Sequence, residues 1–397
     1  MTPRRVLALV MVLALGATGA VLLSRAHRSA GPLVLTVWFD QTLLAVVAQG
    51  PQADAAAGRT WALAWWAADR ASAGQADGAY ADAAVATAVH DVLVALSPTR
   101  RPELDAALAA SPDDPAGARA GREQAAAVLA ERTGDGLTPA ELQGPATLPA
   151  PGPGVWRPTP PGLLPAAEVG LAHARPFLLS SPSQLRPPPP PGPGSPAYRR
   201  DLAEVRELGR VDSARRTPEQ TAVALYWGGS ELDVQVRVLQ QLLLTQDLGT
   251  VAGTRLLSAF HRITVDAEIA VFDAKYAYAS WRPVTALRVD GDGDPATPQV
   301  PGWTPLLDTP AHPDYPSAHT VYAGAAATVL EALVGPGPRR PLQVRSGGAT
   351  RTYSRWQQLV AENEDARVWA GIHLRGSDAA GTALGRQVAA YELVEMP

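Results

Sequence analysis

Residues 275–283 read KYAYASWRP, and this stretch contains the single lysine of a 397-residue chain. All other lysine-or-arginine positions are arginine, so Lys275 stands out from a strong compositional preference. Arg282 follows seven residues later, which is about two turns of an α-helix, and Pro283 disfavours helix at Arg282. The spacing predicts that both cations leave one helix face near the helix end. Two cations placed there repel each other unless an anion lies between them.

A solvated basic stripe is the alternative explanation of this stretch. Tyr276, Tyr278 and Trp281 lie beside the two cations, however, and a plain surface face is rarely so aromatic. The aromatic neighbours therefore favour a packed, functional site.

A second motif, HPDYPSAHT, spans residues 312–320 and precedes an apolar run that predicts a helix. Ser317 stands near the expected N-cap. The free backbone N–H groups of Ala318 and His319, together with the helix dipole, form an anion-binding position. The alternative is an ordinary capped helix with an incidental histidine. His312, at the start of the motif, could line the same pocket.

A third motif, EDARVWAGIHLRGSDAAG, spans residues 364–381. Arg367 and His373 are six residues apart, or about 240° around a helix, so they do not share a helix face. Gly371 between them predicts that the helix ends and the chain turns, which lets both side chains aim at one point. Ser377 is predicted to cap the last helix.

Together, the three motifs supply three cations, a hydroxyl group, a helix N-terminus and two histidines. This set matches a tetrahedral oxyanion. Arginine offers forked donors, whereas lysine offers a compact point charge, which is a reason for Lys275 to remain lysine.

Composition bounds the remaining possibilities. The net charge of −4 gives no sign of a nucleic-acid partner, and the absence of cysteine excludes disulfides, thiolate metal sites and cysteine nucleophiles. Helical periodicity dominates, and no convincing alternating strand or internal repeat is found. The sequence predicts an all-α fold of helical bundles, with the oxyanion site in the core of the C-terminal bundle.

The chain divides into four predicted regions. Residues 1–32 contain arginines followed by an apolar run, which predicts a signal peptide or one N-terminal membrane anchor. Residues 33–144 form a helical region, residues 145–200 a proline-rich connector and residues 201–397 the catalytic region. Trp156 and Phe177 predict that the connector packs on the protein body. We expect an exported protein, extracellular or in the cell envelope, with at most one anchor.

The three motifs resemble those of the vanadium-dependent haloperoxidases and type 2 phosphatidic acid phosphatases, which form one superfamily. The superfamily pattern is Lys-x6-Arg-Pro, then Pro-Ser-Gly-His, then Ser-Arg-x5-His. This chain has the first pair at 275 and 282, PSAH at 316–319 and the last pair at 367 and 373. Stretches such as DAEIAVFDAKYAYASWRPVTALR and GVWRPTPPG extend the resemblance to bacterial haloperoxidase-like members over most of the chain after about residue 36.

The resemblance implies a role for each motif residue. Three cations would bind the equatorial oxygens of vanadate or phosphate, Ser317 and the N–H of Ala318 would add hydrogen bonds, and His319 would be the acid–base group. His373 would be the apical ligand of vanadium or, in a phosphatase, the nucleophile. The three cations are Lys275, Arg282 and Arg367.

Three functions remain open from the sequence. A vanadate-dependent haloperoxidase would oxidise a halide with hydrogen peroxide, giving hypohalous acid or a halogenated small organic acceptor. A soluble acid phosphatase would use the same residues with phosphate, and a non-catalytic exported protein would only bind the oxyanion. The sequence specifies neither the halide nor the oligomeric state.

The chain departs from the superfamily pattern at three places. Ala318 replaces a glycine, which would strain an unusual backbone angle, and Ala366 replaces a serine. Many phosphatases have an aspartate four residues after the last histidine. Here Ser377 occupies that position and Asp378 follows it, which leaves open what orients His373.

Overall fold

The computed structural model describes residues 33–288 and 294–396 of the protein. Within these ranges the chain consists of α-helices and one short β-hairpin, which confirms the all-α prediction. The predicted signal or anchor, residues 1–32, lies outside the described residues, and the four predicted regions stay a prediction. The helices are α1 (Leu33–Ala48), α2 (Asp54–Ser72), α3 (Ala79–Leu96), α4 (Arg101–Ala109), α5 (Pro115–Glu131), α6 (Pro196–Leu208), α7 (Pro218–Tyr226), α8 (Glu231–Thr245), α9 (Thr250–Tyr278), α10 (Pro283–Arg288), α11 (Ala318–Leu333), α12 (Trp356–Trp369) and α13 (Arg375–Glu395), with 3-10 turns at Pro98–Arg100 and Val169–His173.

The hairpin was missed by the sequence analysis. Strands β1 (Leu342–Ser346) and β2 (Ala349–Tyr353) pair antiparallel and are joined by Gly347 and Gly348, whose φ angles are 52° and 80°. Two central residues with positive φ are the preferred two-residue hairpin turn. Burial alternates along β1, but over only five residues, so the Gly-Gly pair was the clearer signal.

Side-chain caps fix where the helices of the second half begin. Thr217 and Gln220 form a capping box at the start of α7. The Ser230 hydroxyl accepts the Asp233 N–H at the start of α8. The Asp54 carboxylate, from the first half of the chain, accepts the N–H of Glu231 and receives the Ser230 hydroxyl. The two halves are therefore tied together at the N-terminus of α8.

Helix α9 lies at the centre of the molecule. It has 29 residues and is buried around most of its circumference, because α2, α11 and α13 pack on different sides of it. Ile263, Val265 and Ile269 are fully buried in a continuous apolar core that includes residues from both halves of the chain. Truncating such a side chain to alanine typically costs about 2–5 kcal/mol. The last turn of this rigid helix carries Lys275.

Glycines allow α13 to lie unusually close to α11. A Cβ at Gly385 would lie 2.0 Å from the Val321 carbonyl oxygen, and one at Gly381 would lie 2.4 Å from the Ser317 carbonyl oxygen. No larger residue fits without separating the helices. This contact fixes the N-terminus of α11 against the start of α13, where two of the sequence motifs lie.

The proline-rich connector packs on the helices, as predicted. Trp156 is buried, and its backbone N–H donates to the Ala279 carbonyl oxygen at 2.7 Å. The N–H of Phe177 donates to the buried Asp266 carboxylate of α9, also at 2.7 Å. The connector therefore wraps around the C-terminal end of α9 and fixes its position.

Among the described residues, α3 is long and apolar enough to cross a membrane by length and composition. Its apolar window is 67% buried inside the protein, where α2 and α5 pack against it.

His90 on α3 gives the protein a pH-dependent stability. Burial alone lowers its pKa, but hydrogen bonds to Asp91 (2.7 Å) and Asp105 (2.8 Å) raise the pKa above its ordinary value. A raised folded-state pKa contributes stability below the unfolded pKa of about 6.5, and this contribution is lost as pH rises through the folded value. We expect His90→Asn to lower the free energy of unfolding at pH 5.5 and to do so less at pH 8.5. Denaturant unfolding measures this, with the exposed His173→Asn as control, and a pH-independent difference would contradict it.

Candidate active site

The chain turns sharply between Lys275 and Arg282. Helix α9 ends at Tyr278, and Ala279 adopts a left-handed conformation with φ 48°. Arg282 therefore lies beyond α9, directly before α10, and the prediction that both cations share one helix face is wrong. Pro283 opens α10 at its first position, as proline commonly does.

The two cations converge on one segment of the HPDYPSAHT motif. The Lys275 ammonium donates to the carbonyl oxygens of Pro313 (2.7 Å) and Asp314 (3.0 Å). The Arg282 Nε donates to the carbonyl oxygen of His312 at 2.8 Å. Both cations are fully buried. These hydrogen-bond partners are neutral carbonyl groups, and Arg282 Nη1 also lies 3.8 Å from the buried Asp314 carboxylate. Asp314 therefore offsets part of the positive charge of the two cations.

Helix α11 begins where the sequence analysis expected. Ser317 is its N-cap residue and is buried, and α11 starts at Ala318. Ala318 is helical and has no positive φ, so replacement of the superfamily glycine introduces no backbone strain. The half-buried His319 lies in the first turn, with Nε2 at 2.9 Å from the Gly229 carbonyl oxygen. A carbonyl oxygen only accepts, so Nε2 carries a proton and Nδ1 of the neutral ring carries the lone pair.

Arg367 and His373 meet through the predicted turn. Helix α12 ends at Trp369, and Gly371 has φ +81°, which favours glycine. The Arg367 Nη1 donates to the Trp227 carbonyl oxygen at 2.7 Å. Its Nε is buried and has no hydrogen-bond partner within residues 33–288 and 294–396.

Asp314 and Arg282 both lie against the ring of His373. The His373 Nδ1 lies 2.8 Å from Asp314 Oδ1, and Arg282 Nη1 lies 3.0 Å from Nε2 and 3.4 Å from Nδ1. A carboxylate beside Nδ1 and a guanidinium nearer to Nε2 favour the tautomer with the proton on Nδ1 and the lone pair on Nε2. A carboxylate beside an imidazole is a common support for histidine ligands.

Burial keeps the histidines of the site neutral. Desolvation, followed by the nearby cations, lowers the pKa of His373 and of His319 well below the ordinary value. Desolvation raises the pKa of Asp314 to about 6, against the opposing influence of Arg282. Desolvation also lowers the pKa of Lys275 well below its ordinary value, with Arg282 adding to the effect. A bound anion would offset both the loss of hydration of Lys275 and its repulsion by Arg282.

The residues present fit a tetrahedral oxyanion such as vanadate. The site offers an anion three buried cations, a helix N-terminus and the Nε2 lone pair of His373. The Arg367 Nε is a buried hydrogen-bond donor that lacks a partner in the described chain. A buried N–H group without an acceptor is costly. An anion beside Arg367 would remove that cost.

The structure also reassigns residues around the site. Leu374, not Ser377, is the N-cap of α13, which begins at Arg375, so the predicted cap at Ser377 is wrong. The Ser377 hydroxyl instead donates to Asp314 Oδ2. His312 does reach the site, since its Nδ1 lies 3.1 Å from Arg282 Nη2.

Two aspartates lie in the site that the sequence analysis did not assign. Asp314 lies 2.8 Å from His373 Nδ1 and stands three residues before Ser317, within a motif already singled out. Asp378 is fully buried, and burial and Asp314 raise its pKa well above the ordinary value, whereas Ser317 and Arg367 act in the opposite direction. An acidic residue within a cluster of predicted cations was the available signal for Asp314.

The chain resembles known proteins in sequence and in fold. Residues 255–396, which contain all seven predicted site residues, match a family model described as the second helical-bundle domain of VCPO. The vanadium chloroperoxidase of Curvularia inaequalis is 27% identical over 138 residues, covering 29% of this chain and 23% of that protein. The chain thus matches less than a quarter of the length of this curated relative.

Solved structures show the same fold over nearly the whole chain. A bacterial vanadium-dependent iodoperoxidase aligns with a TM-score of 0.79 and 20% identity, covering 94% of this chain and 99% of that one. A bacterial vanadium-dependent chloroperoxidase in its apo form aligns with a TM-score of 0.63 and 18% identity, covering 93% and 97%. The resemblance found in the sequence is confirmed: residues 255–396 match the second helical-bundle domain of VCPO, and the chain has the fold of bacterial vanadium-dependent haloperoxidases.

Proposed function

We propose that the protein is a vanadate-dependent haloperoxidase, which oxidises a halide with hydrogen peroxide. The observation that carries the proposal is the buried His373, which lies beside Asp314 and Arg282 and whose pKa is lowered by burial and by the three buried cations. The relatives and structural neighbours are named as vanadium chloroperoxidases and iodoperoxidases, which supports vanadate as the bound anion.

The residues would divide the work of holding vanadate. Lys275, Arg282 and Arg367 would bind its oxygens, Ser317 and the N–H of Ala318 would add hydrogen bonds, and His373 would be the ligand to vanadium. When bound, vanadate supplies activation of hydrogen peroxide toward a halide. The three cations stabilise negative charge in a site from which water is largely excluded, where such charges act strongly.

His319 is the proposed acid–base residue. Its Nε2–H is held by the Gly229 carbonyl group, so the Nδ1 lone pair is available to accept a proton. Its lowered pKa keeps the imidazole neutral at neutral pH, which is the form that accepts a proton. The fixed ring orientation would keep Nδ1 available throughout the reaction.

The decisive assay separates halogenation from phosphate release. Metal-depleted protein would be incubated with orthovanadate, hydrogen peroxide and iodide, bromide or chloride, and halogenation of a phenol would be followed. Hydrolysis of an aryl phosphate would be measured in parallel. We expect vanadate-dependent halogenation. If vanadate inhibits phosphate release and no halogenation occurs, the protein is a phosphatase and the proposal is wrong. If neither activity is found, the protein only binds an oxyanion.

Lys275→Arg is expected to weaken orthovanadate binding about tenfold although it keeps the charge. The Lys275 ammonium fits between two carbonyl groups in a fully buried position, and a larger planar guanidinium there would force its neighbours apart, which typically costs about 1–3 kcal/mol. Isothermal titration with orthovanadate measures the effect. Arg237→Lys, on an exposed face of α8, is the control. Unchanged affinity in Lys275→Arg would show that the single lysine has no special role.

We also propose that the protein is exported, because residues 1–32 combine arginines with an apolar run. N-terminal sequencing of protein recovered from the culture medium or the cell envelope tests this, and full-length protein confined to the cytoplasm would contradict it.

A further inference from the structure

A cavity of about 330 Å³ adjoins the turn between Lys275 and Arg282. Tyr278, Ser280 and Trp281, from the same KYAYASWRP stretch, line this cavity. The stretch thus builds two sites: its cations contribute to the oxyanion site, and its aromatic residues face the cavity. The proposed reaction gives no role to these aromatic residues.

A polyproline strap, defined as residues 187–193, covers one wall of the cavity. The hydroxyl groups of Tyr278 and Tyr315 donate to the carbonyl oxygens of Pro187 (2.5 Å) and Pro188 (2.8 Å), which fixes the strap above the helices. A polyproline segment makes no internal hydrogen bonds and is held in place by such contacts. The cavity is therefore preformed, which reduces the entropic cost of binding a ligand.

The walls are suited to a flat ring. Tyr198 and Trp281 stack with their ring centroids 6.5 Å apart, and Tyr278 and Tyr315 meet edge to face at 5.8 Å. Proline rings of the strap provide a further flat apolar surface. Small-molecule sites are typically clefts of about 300–1,000 Å³ with mainly apolar and aromatic walls and few polar groups. The volume is at the lower end of that range, which suits one or two rings.

Two buried carboxylates line the cavity, and Asp201 is the one that lies outside the oxyanion site. Asp201 is 5% exposed, and its Oδ2 accepts the Gly376 N–H at 2.8 Å. Its Oδ1 accepts no hydrogen bond from the described chain and lies 3.4 Å from the largely exposed Arg200 side chain. None of the described residues lining the cavity is basic. A ligand with a hydroxyl or N–H donor is therefore favoured, and an anionic ligand is disfavoured.

We propose that this cavity binds a neutral planar molecule of one or two aromatic rings with a hydroxyl or N–H donor, such as a phenol or an indole. The donor would meet Asp201, and the ring would lie between the aromatic wall and the strap. Ser377 and Asp314 also line the cavity. The Ser377 hydroxyl donates to Asp314, and Asp314 lies 2.8 Å from His373 Nδ1, so these two contacts connect the cavity to His373. The inference does not rest on the proposed function, because binding requires neither vanadate nor peroxide.

The test is a ¹⁹F NMR titration of the vanadate-free full-length protein with 4-fluorophenol and with 4-fluoroanisole, which lacks the donor. We expect saturable binding, about tenfold tighter for 4-fluorophenol, since a hydrogen bond to a charged group is among the stronger ones. In Asp201→Asn the amide oxygen must accept the Gly376 N–H, so the amide NH₂ faces the cavity in place of Oδ1. This variant is expected to lose the tenfold preference and to bind 4-fluoroanisole as before.

Glu207→Gln on the same helix, with a half-exposed side chain, is the control with the same change of charge and should behave as the wild type. Ser280→Trp, which fills the cavity, should abolish binding of both probes. The inference would be overturned by absent saturable binding, by equal affinity for the two probes in the wild type, or by undiminished binding in a folded Ser280→Trp variant. If that variant does not fold, the Asp201→Asn comparison decides.

Discussion

Turnover of the vanadate-loaded protein is expected to fall about 10²- to 10⁴-fold in His319→Asn, the range typical for loss of a positioned acid–base group. Asparagine places its amide group where Nδ1 stands, so it loses the Nε2 contact to the Gly229 carbonyl group and offers no titrating nitrogen. Orthovanadate affinity should change by less than about threefold, because the three cations and His373 are untouched. Steady-state halogenation and vanadate titration together measure the two quantities.

The pattern of the two measurements distinguishes a catalytic role from a structural one. Exposed His173→Asn is the control and should leave both quantities unchanged. A parallel loss of turnover and vanadate affinity in His319→Asn would assign His319 to anion binding. Unchanged turnover would remove it from the mechanism.

Asp314→Asn is expected to weaken orthovanadate binding about 10- to 100-fold, the usual cost of removing a group that orients a metal-binding histidine. Asp314 accepts the Ser377 hydroxyl with one oxygen, and its other oxygen lies 2.8 Å from His373 Nδ1. An asparagine has one acceptor oxygen and would turn its NH₂ toward one of these two donors. Where the NH₂ faces His373, the ring would prefer the Nε2–H tautomer and would lose the lone pair directed at the anion.

The tautomer can be read without any activity measurement. In vanadate-free protein, ¹⁵N chemical shifts should show Nδ1–H for His373 in the wild type and a shift toward Nε2–H in Asp314→Asn. Asp308→Asn, on an exposed part of the preceding loop, should match the wild type. An unchanged tautomer combined with unchanged vanadate affinity would exclude Asp314 as the residue that positions His373.

The residues of the proposed anion site could be grouped from the sequence because their chemistry is carried by residue type. Lys275, Arg282, Arg367, Ser317 and His373 all lie in or directly beside the buried site. The turn after α12 could also be predicted, because a single residue determines the backbone there: Gly371 has a positive φ and turns the chain toward His373.

The relative placement of these residues could not be predicted from periodicity. The helical-face argument for Lys275 and Arg282 assumed a helix up to residue 282, whereas Ala279 adopts a left-handed conformation that sequence rules reserve mainly for glycine. Ser377 resembled a cap, but the preceding turn starts the helix two residues earlier, at Arg375. Asp314 was missed because its partner, His373, is distant in sequence and only tertiary packing brings them together.

The most direct test of the account is a crystal structure of the protein with bound orthovanadate. The account predicts one anion per chain, bonded to His373 Nε2 and contacted by Lys275, Arg282 and Arg367, with His373 Nδ1 still paired with Asp314. An anion held away from His373, or bonded through Nδ1, would contradict the assignment of the apical ligand and of the residue that orients it.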